Sequence, residues 1–245
     1  KNLTQPEAWA QSIAGLIVLA QARGWSDANL AQLWMLHDLM ARLFSGRYRG
    51  SGRPFISHLA GTAVLALDFT DDVDTIFAAY AHAAYAQGEF GRMTRGATDQ
   101  NRKELRSKIG QAAEALVYDY DAFDFDSFVN GATDDDVLAL SSQMKTVLLL
   151  RIANECDDTS DAAVHDQPWR QGCATRLQAG ARFAQLLRQD AFAQRVETQL
   201  TYLTTLPNIA SSLIRPKRSV TLKNRAFRRR PLLRRLRPIK RLRKL

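Results

Sequence analysis

The 245-residue sequence predicts an all-α fold. Apolar residues recur three and four positions apart through most of the first 205 positions, and period-two alternation is almost absent. Pro, Ser and Asp stand where these periodic runs begin, and Gly stands where several end. A composition of 46% hydrophobic and 24% charged residues belongs to a packed globular chain rather than a disordered one.

Pro6 and Glu7 open the first expected helix, with Trp9, Ile13, Leu16, Ile17 and Ala20 on one face and Gly24 as its stop. Ser26 and Asp27 offer the cap of a second, running through Leu30, Leu33, Trp34, His37, Met40 and Leu43 to Phe44. A Gly- and Arg-rich loop spans 45–54. Helical patterns resume at about 56–69 and 72–87, the latter entered through Asp71 and Asp72. Residues 88–98, with Gly88, Gly91 and Gly96, read as loop. Further helices are expected at about 99–121, 134–158, 174–190 and 191–205, before Pro207 and Pro216. No internal repeat is visible. The organisation is therefore one helical domain, 1–214, followed by a tail, 215–245.

Charge separates the two parts. The tail holds fifteen of the 34 Lys and Arg and no acid, which leaves 19 bases against 25 acids in the body, a balance of −6. A basic tail on an acidic body points to an acidic partner. Arg228, Arg229, Arg230, Arg234 and Arg235 alternate with Leu232, Leu233 and Leu236, and Pro231 and Pro238 confine any helix to short pieces. A basic amphipathic pattern suits an anionic membrane surface or an acidic protein. Nucleic acid is a further candidate partner, although Phe227 alone offers stacking.

Two cysteines, Cys156 and Cys173, are too few for a disulfide framework, so a reducing, cytoplasmic setting is expected, peripheral at a membrane if the tail binds lipid. No run reaches the ~18 apolar residues that span a bilayer. The apolar stretch 13–20 has no basic flank beyond Lys1 and follows Glu7, which excludes a signal-peptide core. The chain opens on Lys1 rather than Met, as expected of a sequence trimmed at its start.

The segment Arg49-Gly-Ser-Gly-Arg-Pro-Phe-Ile-Ser-His58 is a basic loop running into a helix that starts with a histidine. Three landmarks follow in order: 74–82, ending on His82; Ile109-Gly110 with Leu116-Val117; and 149–154, ending on Asn154. Over about residues 35–160 this set resembles the HD domain of the bacterial alarmone (guanosine tetraphosphate) hydrolases. The resemblance implies an HD-domain-like helical bundle in which two imidazoles and two carboxylates hold a divalent cation that polarises a phosphate and activates water. His58 and His82 match the two histidine ligands. Ala83 stands where the paired Asp belongs, Asn154 where the last Asp belongs, and Ala86 and Gln87 where a water-activating Glu-Asp pair belongs. Alanine cannot ligate and an amide oxygen brings no charge, so the family's hydrolysis is not expected here. The pattern Ser57-His-Leu-Ala-Gly-Thr62, with His82, Tyr85 and Phe90, is similar to an uncharacterised bacterial HD-like family that carries no known activity.

Two routes to a surviving site remain. Asp158 lies four residues after Asn154 on the same helical face, and with His58 and His82 it would rebuild a two-His, one-carboxylate site for a divalent transition metal. Arg47, Arg49 and Arg53 with Gly50 and Gly52 suit a phosphate, so a phosphorylated small molecule is a candidate ligand. Tyr85 and Glu89 stand near His82 in sequence. His37-Asp38 precedes the Arg-rich loop and is read as ordinary. The favoured reading is a degenerate, non-hydrolytic HD-like binding or scaffolding module without cofactor, tethered by its tail. The alternatives are a metal-dependent phosphohydrolase-type enzyme using His58, His82 and Asp158, and a basic-tailed nucleic-acid-binding component.

Overall fold

Short polar side chains set most of the helix starts. A computed structural model describes residues 9–91, 94–214 and 220–221. Its helices are α1 Ile13–Ala22, α2 Asp27–Leu43, α3 Phe55–Ala66, α4 Val73–Ala81, α5 Ala84–Gln87 and α6 Asp99–Ala122. They continue with α7 Phe125–Gly131, α8 Asp134–Ala139, α9 Ser142–Thr159, α10 Gln167–Leu186 and α11 Asp190–Thr205. Ser12, Ser26, Asp72, Thr98, Asp124, Thr133, Ser141 and Asp166 each accept a backbone N–H from the first turn that follows. At α8 the cap is reciprocal, with Asp136 reaching back to the Thr133 N–H.

The all-α expectation is met, with several boundaries moved. The first helix begins at Ile13, because Ser12 caps it, and Trp9 lies outside it. The expected 72–87 helix breaks at His82–Ala83 into α4 and α5. The expected 134–158 helix breaks at Leu140–Ser141, where Ser141 caps a new start, and α7 was hidden in a stretch of alternating Asp and Phe. α10 starts seven residues earlier than expected, since Asp166 caps it and Pro168 fits its first turn.

The packing has two apolar clusters that meet along α3 and α9. One gathers α1 to α6 around Phe55, Phe77, Tyr80 and Tyr85; the other gathers α7 to α11 around Phe125, Phe183 and Phe192. In α3 every residue from His58 to Ala66 is buried, and in α4 every residue from Thr75 to Ala81. Such helices must be apolar all round and rich in small residues, which is why their sequences carry so many alanines. A two-residue ribbon pairs β1 (Arg47–Tyr48) with β2 (Val220–Thr221), antiparallel, so the start of the tail returns to the Arg-rich loop. The tail arginines 228–230 and 234–235 lie outside the described residues. No helix of the described residues is long and apolar enough to cross a membrane.

α6 carries a sharp break at Gly110 (φ 86°, ψ 173°), backbone that an L side chain scarcely adopts. The two halves are tied across the break by Glu114, a buried carboxylate. It accepts from Arg102 Nε (2.7 Å), Arg106 Nη2 (2.8 Å) and the Tyr85 hydroxyl (2.7 Å). Burial alone would raise the Glu114 pKa, but these donors outweigh it and keep the group below its ordinary value. Gly110→Ala should therefore destabilise the protein by about 1–3 kcal/mol. Thermal denaturation should show a midpoint lower by roughly 2–4 °C per kcal/mol for a chain of this size; an unchanged midpoint would mean that the break relaxes freely.

Candidate functional site

A buried charge cluster forms where the Arg-rich loop, α3, the end of α4 and the C-terminal end of α9 converge. The loop is folded tightly on itself, the Arg49 N–H donating to Arg53 O (2.8 Å) and the Gly52 N–H to Arg49 O (2.9 Å). This turn delivers two guanidiniums to the last turn of α9. Arg53 grips Asp157 with both terminal nitrogens, Nη2 to Oδ2 at 2.7 Å and Nη1 to Oδ1 at 3.2 Å, and Nη2 also donates to the Asp157 carbonyl (3.0 Å). Arg49 pairs with Asp158. Asp161 accepts from Ser51 Oγ at 2.5 Å and lies 3.0 Å from Arg53 Nε.

Asp157 is the hub. It is fully buried, and Trp9 Nε1 (2.9 Å) and Gln11 Nε2 (3.3 Å) donate to its Oδ1 from before α1. Its approach to α3 requires Gly61: a Cβ there would stand 1.9 Å from Asp157 Oδ1 and 3.1 Å from Trp9 Nε1. The glycine of the His-Leu-Ala-Gly-Thr segment is thus explained by helix-to-carboxylate contact.

His58 and His82 are both buried, and their Nε2 atoms lie 3.2 Å apart. His58 Nδ1 is 2.7 Å from Asp157 Oδ2 and 3.3 Å from Asp158 Oδ1. His82 Nδ1 donates to Ala79 O (2.8 Å), which leaves its Nε2 bare in the neutral ring. The Nε2···Nε2 contact then needs His58 to carry its proton on Nε2, and the short contact to Asp157 needs a proton from the carboxyl side. The alternative tautomer, with His58 donating from Nδ1, sets two lone pairs against each other. So the cluster holds one proton beyond neutral imidazoles and ionised carboxylates, or a cation between the two Nε2 atoms.

Burial pushes His58 well below the ordinary imidazole value and takes His82 down to about 4. Burial likewise raises Asp157, against the pull of Arg53. Asp158 moves the other way: burial opposes ionisation, but Arg49 and His58 hold it below its ordinary value. Arg53 lies against both Asp157 and Asp161 and Arg49 against Asp158, so the acids of the cluster are already partnered by guanidiniums of the same chain.

Among the described residues, His58, Asp157 and Asp158 place one ligand atom each within 4.8 Å of one another, a group able to hold a metal. Asp158 is in this group as its helical position predicts, and Asp157, three residues after Asn154, joins it. Nothing in the sequence pointed to Trp9, Gln11, Ser51 or Asp161, which reach the cluster only through tertiary contact. Asn154 is buried on α9 one turn earlier, and the carboxylate contacts to His58 come from Asp157 and Asp158. Tyr85 is not joined to His82: its hydroxyl is given to Glu114. Arg47 is buried but turns to the end of α5, donating to Gln87 Oε1 (2.8 Å), with Glu89 at 3.9 Å. His37 belongs elsewhere as expected, its Nδ1 2.7 Å from the Tyr80 hydroxyl.

A family model described as a domain of unknown function (DUF6817) matches residues 39–124. The match runs from the second half of α2 through α6 and includes the Arg-rich loop, His58, Gly61, His82 and Glu114. The acidic end of α9 lies beyond it. No curated protein matches the chain.

Asp157→Ala removes the two-pronged contact to buried Arg53, leaving it Asp161 alone, and also unpairs Trp9 and His58, so it should cost about 3–5 kcal/mol. Gly61→Ala should be comparably destabilising in the parent but much less so in the Asp157→Ala background, because the colliding carboxylate is gone. Urea denaturation of the two single variants and the double variant checks this; additive losses would refute the contact. In the unfolded chain the histidines take a proton near their ordinary 6.5, whereas burial keeps both lower in the fold. Stability should accordingly fall as pH drops from about 6.5 toward 4. Asp157 acts in the opposite sense, so the quantity to measure is the difference between parent and His82→Gln, which should shrink on acidification.

Proposed function

We propose that this chain is a degenerate HD-like domain that does not hydrolyse phosphoesters and works as a binding or scaffolding module, tethered through 215–245. Three supports for the HD-like reading come from position: His58 on α3, His82 at the end of α4, and the Asn154–Asp158 stretch of α9 converge from three helices on one buried point. The observation that carries the non-hydrolytic reading is the pairing of Arg53 with Asp157 and of Arg49 with Asp158. The carboxylates that a cation would need already hold a permanent positive charge each. A divalent ion would have to compete with those two guanidiniums for the same carboxylates in a desolvated site, which is costly. The same pairing argues against an open phosphate subsite on this loop, since phosphate would have to displace Asp157 and Asp158 from their arginines. Binding is therefore assigned to the outer surface and the tail. The tail's interspersed leucines favour an anionic lipid surface or an acidic protein over nucleic acid.

One observation favours the enzyme reading. Two imidazole nitrogens bound tetrahedrally to one metal at ~2.1 Å sit roughly 3.3 Å apart, close to the 3.2 Å between His58 and His82. In that reading His58 Nε2 and His82 Nε2 ligate, and Asp157 orients His58 from behind as an outer carboxylate.

Elemental analysis of purified full-length protein, beside His82→Ala and His58→Ala, separates the two. The scaffold reading expects Mn, Fe and Zn at the level of the variants. Near-stoichiometric metal that disappears in His82→Ala would overturn it.

A further inference from the structure

The second half of the molecule carries an acidic, apolar groove outside the cluster described above. It lies between α7 and α8, holds about 680 Å3, and is floored by Phe123, Phe128, Ala132 and Leu140, with Asp124 and Asp136 on its rim. Around it, Asp126, Asp134 and Asp135 are exposed, and Leu138 stands 49% exposed. From 119 to 144 the sequence holds seven Asp and no Lys or Arg. Among the described residues, two of the seven have an arginine within ion-pair reach, Asp126 with Arg176 at 3.6 Å and Asp134 with Arg182 at 3.5 Å. Hydrogen bonds from Ser127 to Asp124 and from Thr133 to Asp136 hold these rim carboxylates below their ordinary pKa, so they stay charged at neutral pH.

The complementary surface is in the same chain. Arg228-Arg-Arg230, Arg234-Arg235 and the leucines 232, 233 and 236 combine clustered positive charge with apolar side chains. We infer that the basic, leucine-bearing segment 228–236 docks in cis into the acidic α7–α8 groove, leucines on the phenylalanine floor and arginines on the aspartate rim. This rests on the reading of the tail as an acid-seeking segment and names its partner. It does not depend on the HD-like assignment.

Reach permits it. The tail leaves Thr221, which pairs with Arg47. Fully extended, the seven residues to Arg228 span up to about 23 Å and the 24 to Leu245 about 80 Å. A body of this length has a radius of gyration of about 17 Å, so the segment, whose far end at Leu236 lies up to about 50 Å out, spans a distance comparable with the width of the body. Covalent linkage also gives an effective concentration on the order of millimolar, so a modest affinity suffices for occupancy. Screening limits it: at 1 M salt the Debye length falls to about 3 Å.

The test uses the full chain in two arms. In the first, carbodiimide coupling of carboxylates to lysines is mapped by mass spectrometry at low salt, on an equal mixture of ordinary and 15N-labelled protein. Links from Lys240 or Lys244 to Asp124, Asp126, Asp134, Asp135 or Asp136 within one isotopic chain are expected. Links between chains, or links only to other carboxylates, overturn docking in cis. In the second, hydrogen exchange over 123–140 is compared between parent and the variant Arg228/Arg229/Arg230/Arg234/Arg235→Glu. Exchange roughly fivefold faster in the variant, and in the parent at 1 M NaCl, is expected; equal rates overturn the proposal. Binding of phosphatidylserine-containing vesicles by the same two proteins separates the layers. Tail-dependent vesicle binding with no groove links sinks the docking and leaves the tether standing, whereas failure of both removes both.

Discussion

The structure depends on one buried carboxylate. Asp157 sits at the end of α9 and receives Arg53 from the loop before α3, Trp9 and Gln11 from before α1, and His58 from α3. Three other stretches of chain are thereby fastened to one side chain that solvent does not reach. A buried carboxylate is tolerated only when its acceptor capacity is used and its charge is balanced. That constraint explains features scattered through the sequence: a glycine at 61, a tight basic turn at 49–53, and a tryptophan ahead of the first helix.

The same constraint shapes the chemistry. A site that binds an ion or phosphate tightly must leave charge unsatisfied until the ligand arrives. Here the two arginines that would greet a phosphate and the two aspartates that would greet a metal have found one another. Pairing of this kind satisfies the buried charges without any group from outside the chain. Glu114 repeats the device on α6 with Arg102, Arg106 and Tyr85, bracing the break at Gly110. A buried acid held by arginine thus recurs at two separate points of the fold.

Charge elsewhere is distributed in the opposite way. Seven of the 25 acids lie at 119–136 on α7, α8 and their approaches, toward the surface rather than in the core, and fifteen of the 34 bases lie after 214. Exposed charges of one sign are soluble but repel one another, and they are stabilised by a counter-charge held nearby.

Fold class was legible because helical periodicity and capping residues are local properties: Ser26, Asp72 and Thr98 announce their helices whatever lies beyond them. His58, Asp158 and the Arg-rich loop were legible as a candidate group because each sits in a recognisable local pattern. What the sequence could not decide was which atoms meet. Tyr85 stands three residues from His82 yet spends its hydroxyl on Glu114, 29 residues away, and Asp157 prevails over Asn154 because the helix end turns its carboxylate onto Arg53 and His58. Those outcomes depend on pairing among groups far apart in the chain. Tertiary structure alone decided whether the charges of the site were offered to a ligand or to each other, because a buried charge takes whichever partner the packed helices bring within hydrogen-bond distance.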